Sequence, residues 1–210
     1  MADERREMMR RVQAALEELP DQIYGQHGYL AAQKLIRLPE FGRAKIVGIF
    51  VGYGGEVETM RLMEAALKLG KRVAAPTTDR QSRRLLWREV NEPHAEIDLG
   101  PLGLPQPRPS CHEADPTQFD LVTVPGLVWD EQGRRLARWP GYFERCLKLL
   151  PRVLKVGLAF ELQVVKDLSK WVEATLVDAL ITEDQVRRFG LTETPRPERR
   201  LPGGPKGYKG

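Results

Sequence analysis

Apolar residues recur at helical spacing near the start of the chain. Met8, Val12, Ala15, Leu16 and Leu19 share one side of a helix predicted over residues 4–19, which Pro20 ends. A second helix is predicted over Tyr29 to Leu38, before Pro39. The pattern then shortens: Lys45-Ile-Val-Gly-Ile-Phe-Val51 is an apolar run of strand length, and Gly52-Tyr-Gly-Gly55 turns the chain. From Glu56 to Leu69 the period is helical again, with Met60, Met63 and Leu67 on one face and Gly70 suited to the C-terminal cap. Arg72 to Pro76 is the next strand, so this strand–helix–strand unit has the crossover length of a parallel pair. Further strands are predicted at Leu85–Val90, Asp120–Val124, Leu154–Ala159 and Asp178–Thr182, with helices at Tyr142–Leu150 and Glu183–Phe189. Residues 91–118, rich in Pro and Gly, are expected to wrap the surface. The alternation predicts one α/β domain over residues 1–190, with a mostly parallel central sheet and helices on both faces.

Composition narrows this picture. At 210 residues, 41% of them hydrophobic, the chain is long enough for one sizeable core. It has no apolar run of transmembrane length and no secretory or lipidation signal, so a cytoplasmic protein is expected. The net charge of +4 is unevenly placed: residues 187–210 carry seven Lys/Arg and two Glu, a balance of +5, which leaves −1 for the rest. A near-neutral body argues against a broad nucleic-acid-binding face. Residues 191–210, with four Pro and four Gly, read as a basic disordered tail. Two cysteines, Cys111 and Cys146, form no CxxC motif and are expected as reduced thiols.

Candidate chemistry concentrates on two loops at strand carboxyl ends. The first, Gly52–Gly55, is either a tight turn or an anion cradle, with Glu56 opening the following helix and able to face a crevice. The second runs from Asp130 through Gly133 to Arg145. Arg134, Arg135 and Arg138 there can clamp phosphates, and Glu144 can hold Mg²⁺. The plainer alternative is a solvated basic loop with ordinary aromatic packing. Cys111-His112-Glu113 lacks metal-ligand spacing.

The segment Asp130-Glu-Gln-Gly-Arg-Arg-Leu-Ala-Arg-Trp-Pro-Gly-Tyr-Phe-Glu-Arg145 resembles the signature D-x-x-G-x-R-L-G-x-G-x-G-Y-Y-D-R of the 5-formyltetrahydrofolate cyclo-ligase (methenyltetrahydrofolate synthetase) family. Asp130, Gly133, Arg135, Leu136, Gly141, Tyr142 and Arg145 match without gaps. Glu56-Val-Glu-Thr59, Gly70–Pro76, Gly103-Leu-Pro-Gln-Pro107, Asp120–Gly126, Gly157–Gln163 and Val177–Glu183 resemble other family segments, in family order. The resemblance implies a Rossmann-like fold akin to NagB, RpiA and the CoA transferases. It also implies an ATP- and Mg²⁺-dependent conversion of 5-formyltetrahydrofolate to 5,10-methenyltetrahydrofolate by a monomer or homodimer. By resemblance Arg135 and Tyr142 are catalytic, and Arg135, Arg138, Gly141 and Tyr142 contact nucleotide. Glu56 binds the folate, Glu144 the metal, and Arg145 supports the loop. Arg10 and Arg11 are candidate substitutes for the family's N-terminal nucleotide contacts.

The chain departs from the signature at Ala137 and Trp139, which stand where the family has glycine, at Phe143 for the second tyrosine, and at Glu144 for aspartate. Pro140 has no N–H to offer a phosphate, and a family His-Asp pair falls on Glu173 and Ala174. These departures leave a second reading open: a paralogue on the same scaffold that binds a folate-like ligand or a protein partner without hydrolysing ATP.

Overall fold

The computed structural model describes residues 2–79, 81–82, 84–100, 103–138, 141–172 and 177–189. The expected tail lies outside these residues, as do Trp139, Pro140, Glu173 and Ala174. Helices α1 (Ala2–Glu17), α2 (Asp21–Ile36) and α3 (Pro39–Arg43) precede β1 (Ile46–Gly48), α4 (Met60–Lys68), β2 (Arg72–Asp79) and β3 (Arg84–Val90). The short α5 (Pro93–Glu96), β4 (Ile97–Leu99), β5 (Pro105–Pro107) and β6 (Glu113–Ala114) follow. Next come β7 (Leu121–Val124), β8 (Val128–Asp130), β9 (Arg135–Leu136) and α6 (Tyr142–Lys148). The last strands are β10 (Leu154–Leu158), β11 (Val164–Val165), β12 (Ala179–Ile181) and β13 (Val186–Arg188).

Eight strands form the central sheet in the order β13-β12-β10-β7-β1-β2-β3-β6. The five strands from β12 to β2 are mutually parallel, and the outer pairings β12–β13, β2–β3 and β3–β6 are antiparallel. Alternation along the strands divides the core in two. Val47, Val73, Leu121, Val156 and Ile181 pack with residues of α1 to α4, whereas Ala74, Val122 and Leu180 pack with Cys146 and Leu147 of α6 and with Trp87 and Trp129. Helices therefore cover both faces, as the near-continuous apolar strands require. Both cysteines are buried free thiols.

Several boundaries differ from the sequence expectation. Helix α2 starts at Asp21, eight residues early, because the chain resumes helix straight after Pro20; Gly28, inside it, faces Val57 and Phe160. Pro39 begins a helix instead of merely ending one, a position that suits a residue with no N–H to donate. Helix α4 starts at Met60, so Glu56 does not begin it. The helix expected over 183–189 is instead a turn closed by Thr182 N–H on Gln185 O (3.0 Å), followed by β13 pairing antiparallel with β12. There Arg187 pairs with Glu161, which also accepts from Thr182, and these contacts hold the strand at the sheet edge.

Candidate active site

From β1 the chain crosses to β2 on one side, whereas β7 adds to β1 on the other. The sheet thus changes its direction of growth at β1, and an open α/β sheet has its crevice at the carboxyl end of such a point. A cleft of about 860 Å³, its open mouth included, lies there. Phe50 and Val51 after β1, Pro76 and Thr78 of β2, and Pro125 and Gly126 after β7 line it. Glu56, Arg135, Arg138 and Tyr142 line the same cleft.

The turn after β1 is built to present Glu56. The Thr59 hydroxyl donates to Phe50 O (2.6 Å) and accepts from Gly52 N–H (3.0 Å), closing the loop from behind. Val57 is fully buried beneath it. The Tyr24 hydroxyl donates to the backbone carbonyl of Glu56, and Tyr53 N–H donates to the Glu56 carboxylate at 3.2 Å. Burial pushes the Glu56 carboxyl up to about 7, against the lowering effects of the Tyr53 N–H and the charges of Arg138 and Arg135. Burial, with the charges of Glu56 and Glu58, raises the Tyr24 hydroxyl in turn.

The second loop is anchored at Asp130, which is fully buried. Its carboxylate accepts from the N–H groups of Gln132 (2.9 Å), Arg134 (2.8 Å) and Leu168 (2.8 Å) and from the Arg134 guanidinium (3.1 Å). The chain then reverses through Gly133 and returns as β9, so part of the expected loop is a strand. Arg135 on β9 is nearly enclosed, its side chain 4% exposed. It donates to Pro125 O (2.7 Å) and Glu144 Oε1 (2.9 Å), while its Nε has no partner among the described residues. Burial lowers its pKa, opposed by the carboxylates of Glu144 and Glu56. Arg138 donates to the Gly54 carbonyl and to Gln13 Oε1 on α1, tying together the loop, the turn after β1 and the N-terminal helix. Gly54 has φ +59°, and a Cβ there would stand 2.9 Å from Arg138 Nη1. Gly141 (φ +98°) precedes α6, its N–H donating to Glu144 Oε2 at 2.6 Å. The Arg145 guanidinium lies over the Tyr142 ring at 5.5 Å.

Residues 1–182 match the sequence profile of the 5-formyltetrahydrofolate cyclo-ligase family. The chain belongs to that family. The 5-formyltetrahydrofolate cyclo-ligase of Escherichia coli K12 is 28% identical over 182 residues, 85% of this chain and 98% of that one. The Mus musculus cyclo-ligase is 28% identical over 170 residues, covering 74% and 81%. The NMR structure of 5,10-methenyltetrahydrofolate synthetase from Aquifex aeolicus superposes with a TM-score of 0.76 at 29% identity, covering 94% of this chain and 95% of that one. The synthetase from Mycoplasma pneumoniae, 17% identical with a TM-score of 0.67, shares the fold. The protein is thus an enzyme of the cyclo-ligase type.

In this member of the family, the residues expected from the two loops do not all reach the cleft. Glu56, Arg135, Arg138 and Tyr142 line it, whereas Glu144 sits behind Arg135 with each carboxylate oxygen accepting one hydrogen bond. Arg10 and Arg11 are exposed and both pair with Glu7, while the partly buried Arg5 has a buried Nε with no partner among the described residues. No group of three His, Cys, Asp or Glu side chains converges among the described residues. Glu56 is the one carboxylate among the described residues that lines the cleft, whereas Glu144, the expected metal ligand, is engaged by Arg135 and by Gly141 N–H outside it, so an Mg²⁺ ion would be carried mainly by phosphate oxygens. Arg135 and Arg138 fit phosphates: both are cationic, and Arg135 keeps an unspent buried donor. Sequence reasoning missed the wall formed by Thr78, Leu85, Leu104, Pro105 and Gln106. Its one signal was the Gly103-Leu-Pro-Gln-Pro107 match, in a stretch expected merely to wrap the surface. Gln13 carried no signal, since its helix was legible but its neighbour across the fold was not.

Proposed function

We propose that the protein catalyses its family's reaction, using ATP and Mg²⁺ to convert 5-formyltetrahydrofolate into 5,10-methenyltetrahydrofolate. The reading rests on one observation above all: a carboxylate, two guanidiniums and a phenol from separate loops meet in a single cleft at the sheet's switch point. In this reaction the formyl oxygen takes the γ-phosphoryl group and ADP departs. N10 then attacks the activated formyl carbon, and phosphate leaves as the methenyl bridge forms. Such chemistry needs alignment of the donor and acceptor and neutralisation of charge on the phosphoryl oxygens. Arg135 is suited to that charge because Pro125 O and Glu144 hold its fork in one orientation before any ligand arrives. Arg138 adds a second cation and Tyr142 a phenol, whereas the N–H of Gly141 is spent on Glu144 Oε2 and orders the loop. Bound Mg²⁺, carried mainly by the phosphates, would offset charge on the polyphosphate. Glu56 faces the folate, its carboxylate able to accept from pterin N–H groups.

The test is an absorbance assay of purified protein with 5-formyltetrahydrofolate, Mg²⁺ and ATP, beside a control without ATP. ATP-dependent appearance of the methenyl product is expected. A folded protein that forms none points to the non-catalytic paralogue.

A further inference from the structure

The cleft's cations come from the loop between Arg135 and Tyr142. Its other wall, made by β2, β3 and β5, contributes Pro76, Thr78, Leu85, Leu104, Pro105 and Gln106 and carries no charged side chain among the described residues. One polar side chain in that wall is held in a defined orientation. Gln106 Oε1 accepts from Thr78 N–H at 3.2 Å, and this bond decides which end of the amide is which. The Gln106 side chain also lies flat across Gly100, where a Cβ would come within 2.6 Å of Nε2. With the oxygen committed to Thr78, the Gln106 NH₂ has no acceptor among the described residues, and it is not sealed from solvent. An aimed, unspent neutral donor in an otherwise apolar wall suits a flat heteroaromatic ring that presents a carbonyl, and it does not suit a polyphosphate.

We propose that Gln106 is a specificity-determining residue that donates its NH₂ to the pteridine ring carbonyl of the substrate. This rests on the folate reading above. It assigns the uncharged wall to the ring and leaves the arginine loop to the phosphates.

Gln106→Glu tests the idea, because it keeps an oxygen for Thr78 N–H and replaces the NH₂ by an acceptor. Gln106→Leu removes both groups. Steady-state kinetics would be measured with 5-formyltetrahydrofolate and ATP, with inhibition by a 2,4-diaminopteridine, which carries an amino group in place of the ring carbonyl. Thermal melts of both variants accompany the kinetics. The expected result is a KM for 5-formyltetrahydrofolate raised roughly tenfold or more in both variants with KM for ATP unchanged. Inhibition by the diamino ligand should tighten in Gln106→Glu relative to Gln106→Leu, since only Glu can accept from the amino group. Parent-like KM in both variants, with the parent active, overturns this proposal alone, and so does equal weakening of both pteridines. A parent that neither binds nor turns over 5-formyltetrahydrofolate overturns this assignment together with the folate reading.

Discussion

Replacing Glu56 by Gln separates the site's electrostatic cost from its use. The carboxyl ordinarily titrates at 4.5 and is pushed up to about 7 by burial. The folded protein therefore holds this proton more tightly than the unfolded chain does. Where both states are protonated, below about pH 4.5, the group costs nothing; as pH rises toward 7 the unfolded chain ionises first and stability falls. Above pH 7 the loss levels off at no more than about 3 kcal/mol, reduced by whatever part of the carboxylate faces cleft water. Glutamine keeps an acceptor for Tyr53 N–H and has no charge to desolvate. Glu56→Gln should thus match the parent in urea unfolding near pH 4 and exceed it by roughly 2–3 kcal/mol at pH 8. With the proposed role of Glu56 as acceptor for pterin N–H groups, kcat/KM for folate in the parent should rise through about pH 7 as the carboxyl ionises, and the same variant should lose that rise. A stability difference that does not change between pH 4 and pH 8 would refute the buried, proton-holding carboxyl.

Four further substitutions probe the frame. Thr59→Val removes both bonds of a fully buried hydroxyl, to Phe50 O and from Gly52 N–H, and should cost about 1–3 kcal/mol in denaturant unfolding while raising KM for folate. Arg135→Lys keeps the charge but cannot serve Pro125 O and Glu144 together as the planar fork does; turnover at saturating substrates should fall about tenfold or more, and an unchanged kcat would remove the fork from the mechanism. Truncation of Arg135 to Ala also lowers stability, since the residue is buried and bonded at both ends, so loss of activity in that variant is interpretable only beside a thermal melt. Ala137→Gly, which reopens the cleft wall at a position where the family has glycine, should strengthen ATP binding in a nucleotide titration, and no gain would show that this side chain does not limit access.

Much of the fold was legible because periodicity reports burial directly. The runs at Lys45–Val51, Asp120–Val124 and Leu154–Ala159 are apolar on both faces, so they had to be inner strands of a sheet covered on two sides, and they are. Boundaries were less legible where local signals compete. Pro39 starts α3, and Thr59 spends its hydroxyl on Phe50 and Gly52, which leaves Glu56 in the turn and off the helix.

At the site, the sequence by itself determined the residue types and their order: a carboxylate after β1 and an arginine-rich segment after β7, in a pattern shared with the cyclo-ligase family. Only the tertiary structure decided which groups meet. Arg138 reaches Gln13 and Gly54, 125 and 84 positions away in the chain. Glu144 turns back onto Arg135 and Gly141, and Gln106 comes to the cleft from a stretch that reads as surface wrapping. Period and composition report how one segment relates to water. Contacts between distant segments depend on strand order and loop closure, and no local pattern encodes them.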